Sequence, residues 1–210
     1  MPLVYQQNIN DKTKLGVWYI VETEHFFIEK VPLQREISHP HKRLQHLAGR
    51  YLLKELFPDF PFELIKIADT RKPFLENEAY HFSISHCGDY AAVIVSKENR
   101  VGVDIELFND KIEKIKDKFL SADELTILHE LPNFQFSIFN FQLLAWCIKE
   151  AIYKWYGSGS VDFKKHIRID KIEMQQNAGT ATCFFLKDTS VQLQTQFIFF
   201  EDKCLAWVVN

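Results

Sequence analysis

No apolar run in the 210-residue sequence approaches the about 20 residues that a membrane-spanning helix requires, so no membrane partner is expected. The opening residues, Met1 to Lys12, show no basic segment leading into an apolar one, and no secretory leader is expected. Four cysteines, Cys87, Cys147, Cys183 and Cys204, are widely scattered without a CxxC pair or a ligand-like spacing. That spacing argues against a disulfide framework and a zinc ribbon, and for reduced thiols in a cytoplasmic protein. There is no P-loop, no GxGxxG turn after a strand, no HExxH helix and no GxSxG elbow. The net charge of −3 supplies no basic field for a nucleic acid, so none is expected as a partner. Any phosphate this chain handles must be gripped locally. No low-complexity tract or Gly/Ser linker separates parts of the chain, so any subdomains pack closely.

The composition, 47% hydrophobic and 25% charged, is that of a globular protein large enough to bury a core. Alternation at Leu15, Val17, Tyr19 and Val21 predicts a strand. Ser38 and Pro40 offer a helix start, and Leu44, Leu47, Ala48, Tyr51, Leu52 and Leu56 recur at helical spacing until Pro58. Three strands are expected near 80–85, 90–96 and 100–107, with turns at 86–89 and 97–99. Ser121 and Glu124 form a capping box. A longer helix is expected from about Ser137 to Tyr156, stopped by Gly157-Ser158-Gly159. Four strands close the chain near 166–174, 180–186, 191–200 and 203–209. Helices followed by runs of strands, twice over, predict an α+β fold divided near Glu106, as 1–105 and 106–210.

Four local features carry chemistry. In Val101-Gly102-Val103-Asp104-Ile105-Glu106 the valines and Ile105 would enter the core, while Gly102, Asp104 and Glu106 share the other strand face. Two carboxylates beside a glycine suit a hard cation such as magnesium; the competing reading is a solvated polar face. Glu150 and Lys154 lie four apart on the long helix, either as a surface ion pair or as a proton acceptor beside a cation for a leaving phosphate. In His81-Phe82-Ser83-Ile84-Ser85-His86, the serines, His86 and the amides of the Gly88 turn are candidates for holding a phosphate; a plain hairpin is the alternative. Arg43, His46, Arg50 and Lys54 line one side of the first long helix, and Arg71-Lys72-Pro73 adds cations in a loop; a solvated helix face competes with phosphate binding. His39, His41 and His46 form no convincing metal set, since no cysteine or carboxylate completes it.

The order of these blocks is more specific than any one of them. Phe-Ser-Ile-Ser-His at 82–86, Gly-Val-Asp-Ile-Glu at 102–106 and Trp-Cys-Ile-Lys-Glu-Ala-Ile-Tyr-Lys at 146–154 resemble the signature of the 4′-phosphopantetheinyl transferases of the surfactin-synthetase-activating type. Ala48-Gly49-Arg50, Arg71-Lys72-Pro73 and Phe119-Leu120-Ser121-Ala122-Asp123-Glu124 are also similar to that family, so the resemblance covers about residues 40 to 160. It implies two similar α+β subdomains in a pseudo-twofold arrangement with the active site at their interface. It implies transfer of 4′-phosphopantetheine from coenzyme A to a serine of an apo acyl or peptidyl carrier protein, with release of 3′,5′-ADP, the reaction of a holo-[acyl-carrier-protein] synthase. By the same resemblance Asp104, Glu106 and Glu150 are the Mg2+ ligands, Glu150 is also the general base, and Lys154 meets the phosphates. His86 and Arg50 bind the 3′-phosphate, with Ser85 nearby and Arg71 or Lys72 along the phosphate path. Cys87 departs from the small polar residue frequent in the family. The resemblance also implies that about Leu107 to Phe141 docks the carrier, with Lys111, Lys114, Lys116 and Lys118 among its charges. Its apolar residues Phe108, Phe119, Leu125, Leu128, Phe134, Phe136 and Phe139 divide between core and docking surface. A monomer is expected. Two rivals remain: a magnesium-dependent phosphodiesterase or nuclease, and a non-enzymatic binder of coenzyme A or a carrier.

Overall fold

The computed structural model describes residues 2–33, 36–130 and 138–210, and the side chains of all these except 128–130 and 138–140. The chain divides into two compact units, Met1–Val101 and Gly102–Asn210.

The first unit opens with strands β1 (Leu3–Asn10) and β2 (Thr13–Tyr19), a short helix α1 (Glu24–Ile28) and the long helix α2 (Pro40–Leu56). A small antiparallel pair, β3 (Ile65–Ile67) and β4 (Pro73–Leu75), precedes β5 (His81–Cys87) and β6 (Tyr90–Ser96). The main sheet runs β1-β2-β6-β5, antiparallel throughout. Helix α2 begins with Pro40 in its first turn, where a missing N–H costs nothing, and the His39 Nδ1 accepts from the Lys42 amide. Its C-terminal carbonyl at Leu56 accepts from Lys14 Nζ at 3.0 Å, a cation placed at the negative helix end. Leu47, Ala48, Leu52, Leu53 and Leu56 are buried with Phe82, Val93 and Val95 of the sheet. Truncating a fully buried leucine such as Leu52 to alanine costs about 2–5 kcal/mol. Helix and strand approach closely at Gly49, where an added Cβ would lie 2.8 Å from Ile84 Cγ2.

The second unit begins with β7 (Val101–Leu107), followed by α3 (Asp110–Phe119), α4 (Ala122–Glu130) and the long α5 (Ile138–Tyr156). A one-turn helix α6 (Phe163–His166) leads into β8 (Ile167–Gln175), β9 (Ala178–Phe185), β10 (Val191–Phe200) and β11 (Lys203–Val209). The sheet order is β7-β11-β10-β9-β8, and strands β8 to β11 form an antiparallel meander. Helix α5 packs its Leu144, Cys147, Ile148, Ala151 and Ile152 onto Cys183, Phe197, Cys204, Ala206 and Val208. The expected capping box at the start of α4 forms in both directions. The Ser121 amide donates to Glu124 Oε2 at 2.8 Å and the Glu124 amide donates to Ser121 Oγ at 3.3 Å.

The fold is α+β, with two sheets each covered by a long helix, as the order of strand and helix patterns predicts. Among the described residues, no helix is long and apolar enough to cross a membrane. The start of α5 expected at Ser137 lies outside the described residues. One detail differs from expectation. Helix α5 lies against the Gly102–Asp104 face of β7, the face read as a cation-binding one with a solvated polar face as the alternative. Val103 and Ile105 on the other face are fully buried too. Gly102 is the reason: a Cβ there would stand 2.0 Å from the Ala151 carbonyl oxygen and 2.7 Å from the Trp155 nitrogen. Only a residue without a side chain lets the helix backbone settle on this strand.

Candidate functional site

That close approach brings the charged residues of β7 and α5 together in the second unit. Lys154 Nζ donates to Asp104 Oδ1 at 2.6 Å; the Asp104 side chain is 3% exposed and that of Lys154 24%. The solvated-strand reading of Asp104 is therefore excluded. Glu106 and Glu150 share the field of this pair. Burial, followed by the Asp104 charge, pushes the Glu150 carboxyl up to about 7, against the pull of Lys154. Glu106 is pushed up to about 7 as well, by burial first and then by Asp104, with Glu150 adding to the repulsion. Burial opposes the charge on Lys154, but Asp104 and Glu150 outweigh it and hold the ammonium above the ordinary lysine range. Three carboxylates thus face one lysine. Among the described residues, no three His, Cys, Asp or Glu side chains already converge closely enough to hold a metal ion. The three carboxylates share a field without sharing a centre.

The donor chemistry nevertheless fits a hard divalent cation. All the donors are carboxylate oxygens, and burial, with the neighbouring negative charge, raises two of them toward neutrality; a divalent charge would favour their ionised forms. Imidazole or thiolate ligands for a softer metal are absent from this group.

The candidate residues of the first unit fall into two groups. Arg50 is 3% exposed on α2, so the solvated-face reading does not hold for it. Elsewhere on that helix face, Arg43 donates to Glu24 Oε1 at 2.7 Å and to the Ile37 carbonyl at 2.7 Å, while Lys54 is exposed. His86 is exposed at the end of β5, on the strand face of Phe82 and Ile84. Ile84 meets Gly49, so α2 lies on that face. Arg50 and His86 are thereby on one side of the sheet. Ser85, buried at 5% exposure, alternates to the other side, as does Ser83. The turn after His86 is held by α2: Gln45 Nε2 donates to the Gly88 carbonyl at 2.7 Å, and His41 Nε2 lies 2.9 Å from Asp89 Oδ1.

Arg71 and Lys72 sit where β3 turns into β4. Arg71 takes a left-handed backbone conformation, φ 66°, and its amide donates to the Ala68 carbonyl at 2.8 Å. Lys72 is half-buried, and burial together with the neighbouring Arg100 charge lowers its pKa to about 8. His81, lowered chiefly by burial, also feels Arg100 and Lys72. Lys72 and Arg100 therefore share a cationic field that reaches a neutral His81, where Glu78 opposes it, at the opposite end of β5 from His86.

One pair went unread in the sequence. Lys149 and Glu124, 25 positions apart, form a buried ion pair at 2.7 Å. The available signal was a lysine on the apolar stripe of α5, three residues before Ile152 and four after Ala145.

Residues 100–208 match the 4′-phosphopantetheinyl transferase superfamily. The chain is 33% identical over 114 residues to the 4′-phosphopantetheinyl transferase psf-1 of Bacillus pumilus, covering 52% of this chain and 47% of that protein. It is 30% identical over 122 residues to the 4′-phosphopantetheinyl transferase AcpT of Salmonella typhi, covering 57% of this chain and 62% of that one. It spans less than two thirds of the length of both. Against AcpT of Escherichia coli O157:H7 the identity is 30% over 164 residues, 72% of this chain and 82% of the relative. With the family match across its second half and this relative aligned along most of its length, the chain belongs to the 4′-phosphopantetheinyl transferase superfamily.

Proposed function

We propose that this chain transfers 4′-phosphopantetheine from coenzyme A to a serine hydroxyl of an apo acyl or peptidyl carrier protein and releases 3′,5′-ADP. The observation that carries the reading is the meeting of Asp104, Glu106, Glu150 and Lys154 where α5 rests on Gly102. Attack of a serine oxygen on a pyrophosphate phosphorus requires removal of the hydroxyl proton and neutralisation of charge on the phosphate oxygens. Glu150, a half-buried carboxylate beside Asp104 and Lys154 that is pushed up to about 7 before any metal binds, is the candidate proton acceptor. It takes the serine proton, directly or through a water. Lys154 holds positive charge where the departing phosphate gathers negative charge. Asp104, Glu106 and Glu150 would hold Mg2+, which when bound supplies charge neutralisation at the pyrophosphate.

The nucleotide end falls to residues of the first unit. Arg50 and His86, on one side of its sheet, are assigned to the 3′-phosphate, and Arg71 and Lys72 to the remaining phosphate path. Ser85 is assigned a backbone contact, since its side chain alternates away from His86.

The test is incubation with coenzyme A, Mg2+ and purified apo-carriers, read by intact mass. A carrier heavier by one phosphopantetheine, abolished by chelator, supports the reading. No modification of any carrier, with hydrolysis of DNA or another phosphodiester instead, would favour the nuclease rival. Dephospho-coenzyme A should be the poorer substrate, and Arg50→Ala should shrink that preference about tenfold, because the partner of the missing phosphate is already gone. An undiminished preference in Arg50→Ala would remove Arg50 from the site.

A further inference from the structure

Lys149 immediately precedes Glu150 on α5 and belongs to no part of the mechanism above. Its side chain is fully buried, yet it carries an ammonium. Nζ reaches Glu124 Oε1 at 2.7 Å, the Phe119 carbonyl at 2.7 Å, the Ile167 carbonyl at 2.7 Å and the Phe163 carbonyl at 3.0 Å. Four oxygen acceptors surround a group with three donors. Burial alone lowers the lysine's pKa, and the Glu124 carboxylate works against that. Glu124 in turn accepts from the Ile169 amide at 2.9 Å through Oε1 and from the Ser121 amide at 2.8 Å through Oε2. The pair ties α5 to the ends of α3 and α6, to α4 and to β8. All of these lie within the second unit.

A well-packed apolar pair of the same volume would hold these elements together at least as well, so stability alone does not account for a buried ion pair. Direction does. An apolar contact tolerates sliding, whereas an ammonium with four fixed acceptors has one setting. On another face of the same helix, the Ala151 carbonyl and the Trp155 nitrogen are fitted against Gly102 without room for a Cβ. Helix α5 is therefore fixed from two directions, and Glu150 and Lys154 project from the turns so fixed. A rotation of about 10° moves a side-chain tip about 1 Å at the helix's outer radius, and misplacement of that size costs reactions up to about a hundredfold.

We infer that the Lys149–Glu124 pair is a positioning device for Glu150. It sets the rotation of α5, and so the placement of the Glu150 carboxylate relative to those of Asp104 and Glu106. The inference rests on the transferase reading of that site.

The test compares the parent protein with Glu124→Gln, with Lys149→Met and with the double variant Lys149→Met, Glu124→Gln. Melting temperature, Mn2+ affinity by calorimetry with coenzyme A present, and kcat and KM for a carrier are measured on each. Glutamine is isosteric and keeps an oxygen for the Ile169 amide and Lys149, while its amide nitrogen faces the Ser121 amide, so Glu124→Gln should fold with a lowered melting temperature. It should bind Mn2+ about tenfold more weakly and lose about tenfold in kcat with KM for the carrier unchanged. The double variant contains no buried charge at the pair and should recover most of the melting temperature lost by Lys149→Met alone. Its kcat and Mn2+ affinity should stay low. A merely structural pair gives the opposite split: melting temperatures fall while kcat and Mn2+ affinity keep parent values, and that result overturns the inference. If the double variant does not fold, Glu124→Gln decides by the same criterion. A parent that modifies no carrier sinks the transferase reading, whereas the Mn2+ measurement still judges the pair.

Discussion

Helix α5 carries two lysines five residues apart, each joined to a carboxylate at nearly the same distance, 2.7 Å for Lys149–Glu124 and 2.6 Å for Lys154–Asp104. Their surroundings separate them. Lys149 is sealed from solvent and meets only neutral carbonyls besides its one carboxylate, so charge balances. Lys154 is partly exposed and faces three carboxylates, so negative charge is in excess; burial first, and that charge second, push two carboxyls up to about 7. A balanced, closed pair holds structure. An unbalanced, open one is prepared to receive positive charge, which in the proposed reaction a metal ion would supply.

The largest effect that would sharpen this contrast is on the rate. On the proposed mechanism Glu150→Gln removes a proton acceptor and an oxygen ligand together, so kcat should fall about 10²–10³-fold while coenzyme A affinity changes little. Single-turnover transfer and equilibrium binding of coenzyme A check the split. Equal losses in both would make Glu150 a binding residue only.

Stability should divide the lysines in the reverse sense. Lys149→Met leaves the Glu124 charge buried and unpaired, at a cost of about 3–5 kcal/mol. Lys154→Met leaves the buried Asp104 charge without its partner, but Glu106 and Glu150, already raised toward neutrality, can take up protons and absorb part of the loss, so it should cost less, about 1–3 kcal/mol. Its kcat should nevertheless fall about a hundredfold. Denaturant unfolding of both variants tests the ordering, and comparable losses would erase the distinction between the pairs.

How much of this was legible in the sequence follows from the same contrast. Asp104, Glu106, Glu150 and Lys154 sit in short blocks whose spacing on a strand and a helix announces a shared face. The capping box of Ser121 and Glu124 is likewise local, and it forms as read. Glu124's second role is not local, because its lysine is 25 residues away and became visible only when α5 was laid against α4. Strand β1 escaped notice since Gln6, Gln7, Asn8 and Asn10 dilute its alternation, yet an edge strand with one half-buried face needs no more than Leu3, Tyr5 and Ile9. Helix α3 was hidden by its charges, although Ile112, Ile115 and Phe119 supply a helical stripe with Asn109 as its cap. That a helix would lie on the carboxylate face of β7 was not legible in the alternation of the strand. Gly102 decided it, through a contact of its backbone that no hydrophobicity pattern encodes.

The acid range offers a milder way to probe the open pair. Glu106 and Glu150 titrate near 7 when folded and near the ordinary 4.5 when unfolded. Between those values the folded state binds more protons, so metal-free stability should fall as pH rises from 4.5 to 7 and level off above. Magnesium should stabilise more at pH 8 than at pH 5, by about 5 °C in melting temperature. Thermal melts with and without Mg2+ at the two pH values read it. Equal Mg2+ effects at both would detach the metal from these carboxylates.

The smallest expected effect lies on the exposed side of α3. Lys111, Lys114 and Lys118 are exposed there, while Ile112 and Phe119 turn inward. Of the apolar residues of the proposed docking segment, Phe119 belongs to the core and Leu125 packs against it, whereas Phe108 is 38% exposed. Phe134 and Phe136, and the side chains of Leu128 and Phe139, lie outside the described residues. Across 110–118, four lysines face three acids, so the excess charge is a single unit. Exposed charges separated from a partner by about 8–10 Å are largely screened at physiological salt. An acidic carrier would therefore be steered modestly rather than gripped. Lys114→Glu with Lys118→Glu should slow carrier modification about two- to threefold at low salt and converge with the parent at high salt. Coenzyme A binding and the Mg2+ requirement should be unchanged, since neither lysine belongs to the open pair of α5. Initial rates at two ionic strengths check this, and a parent rate that ignores salt, matched by the variant throughout, would place carrier docking elsewhere on the molecule.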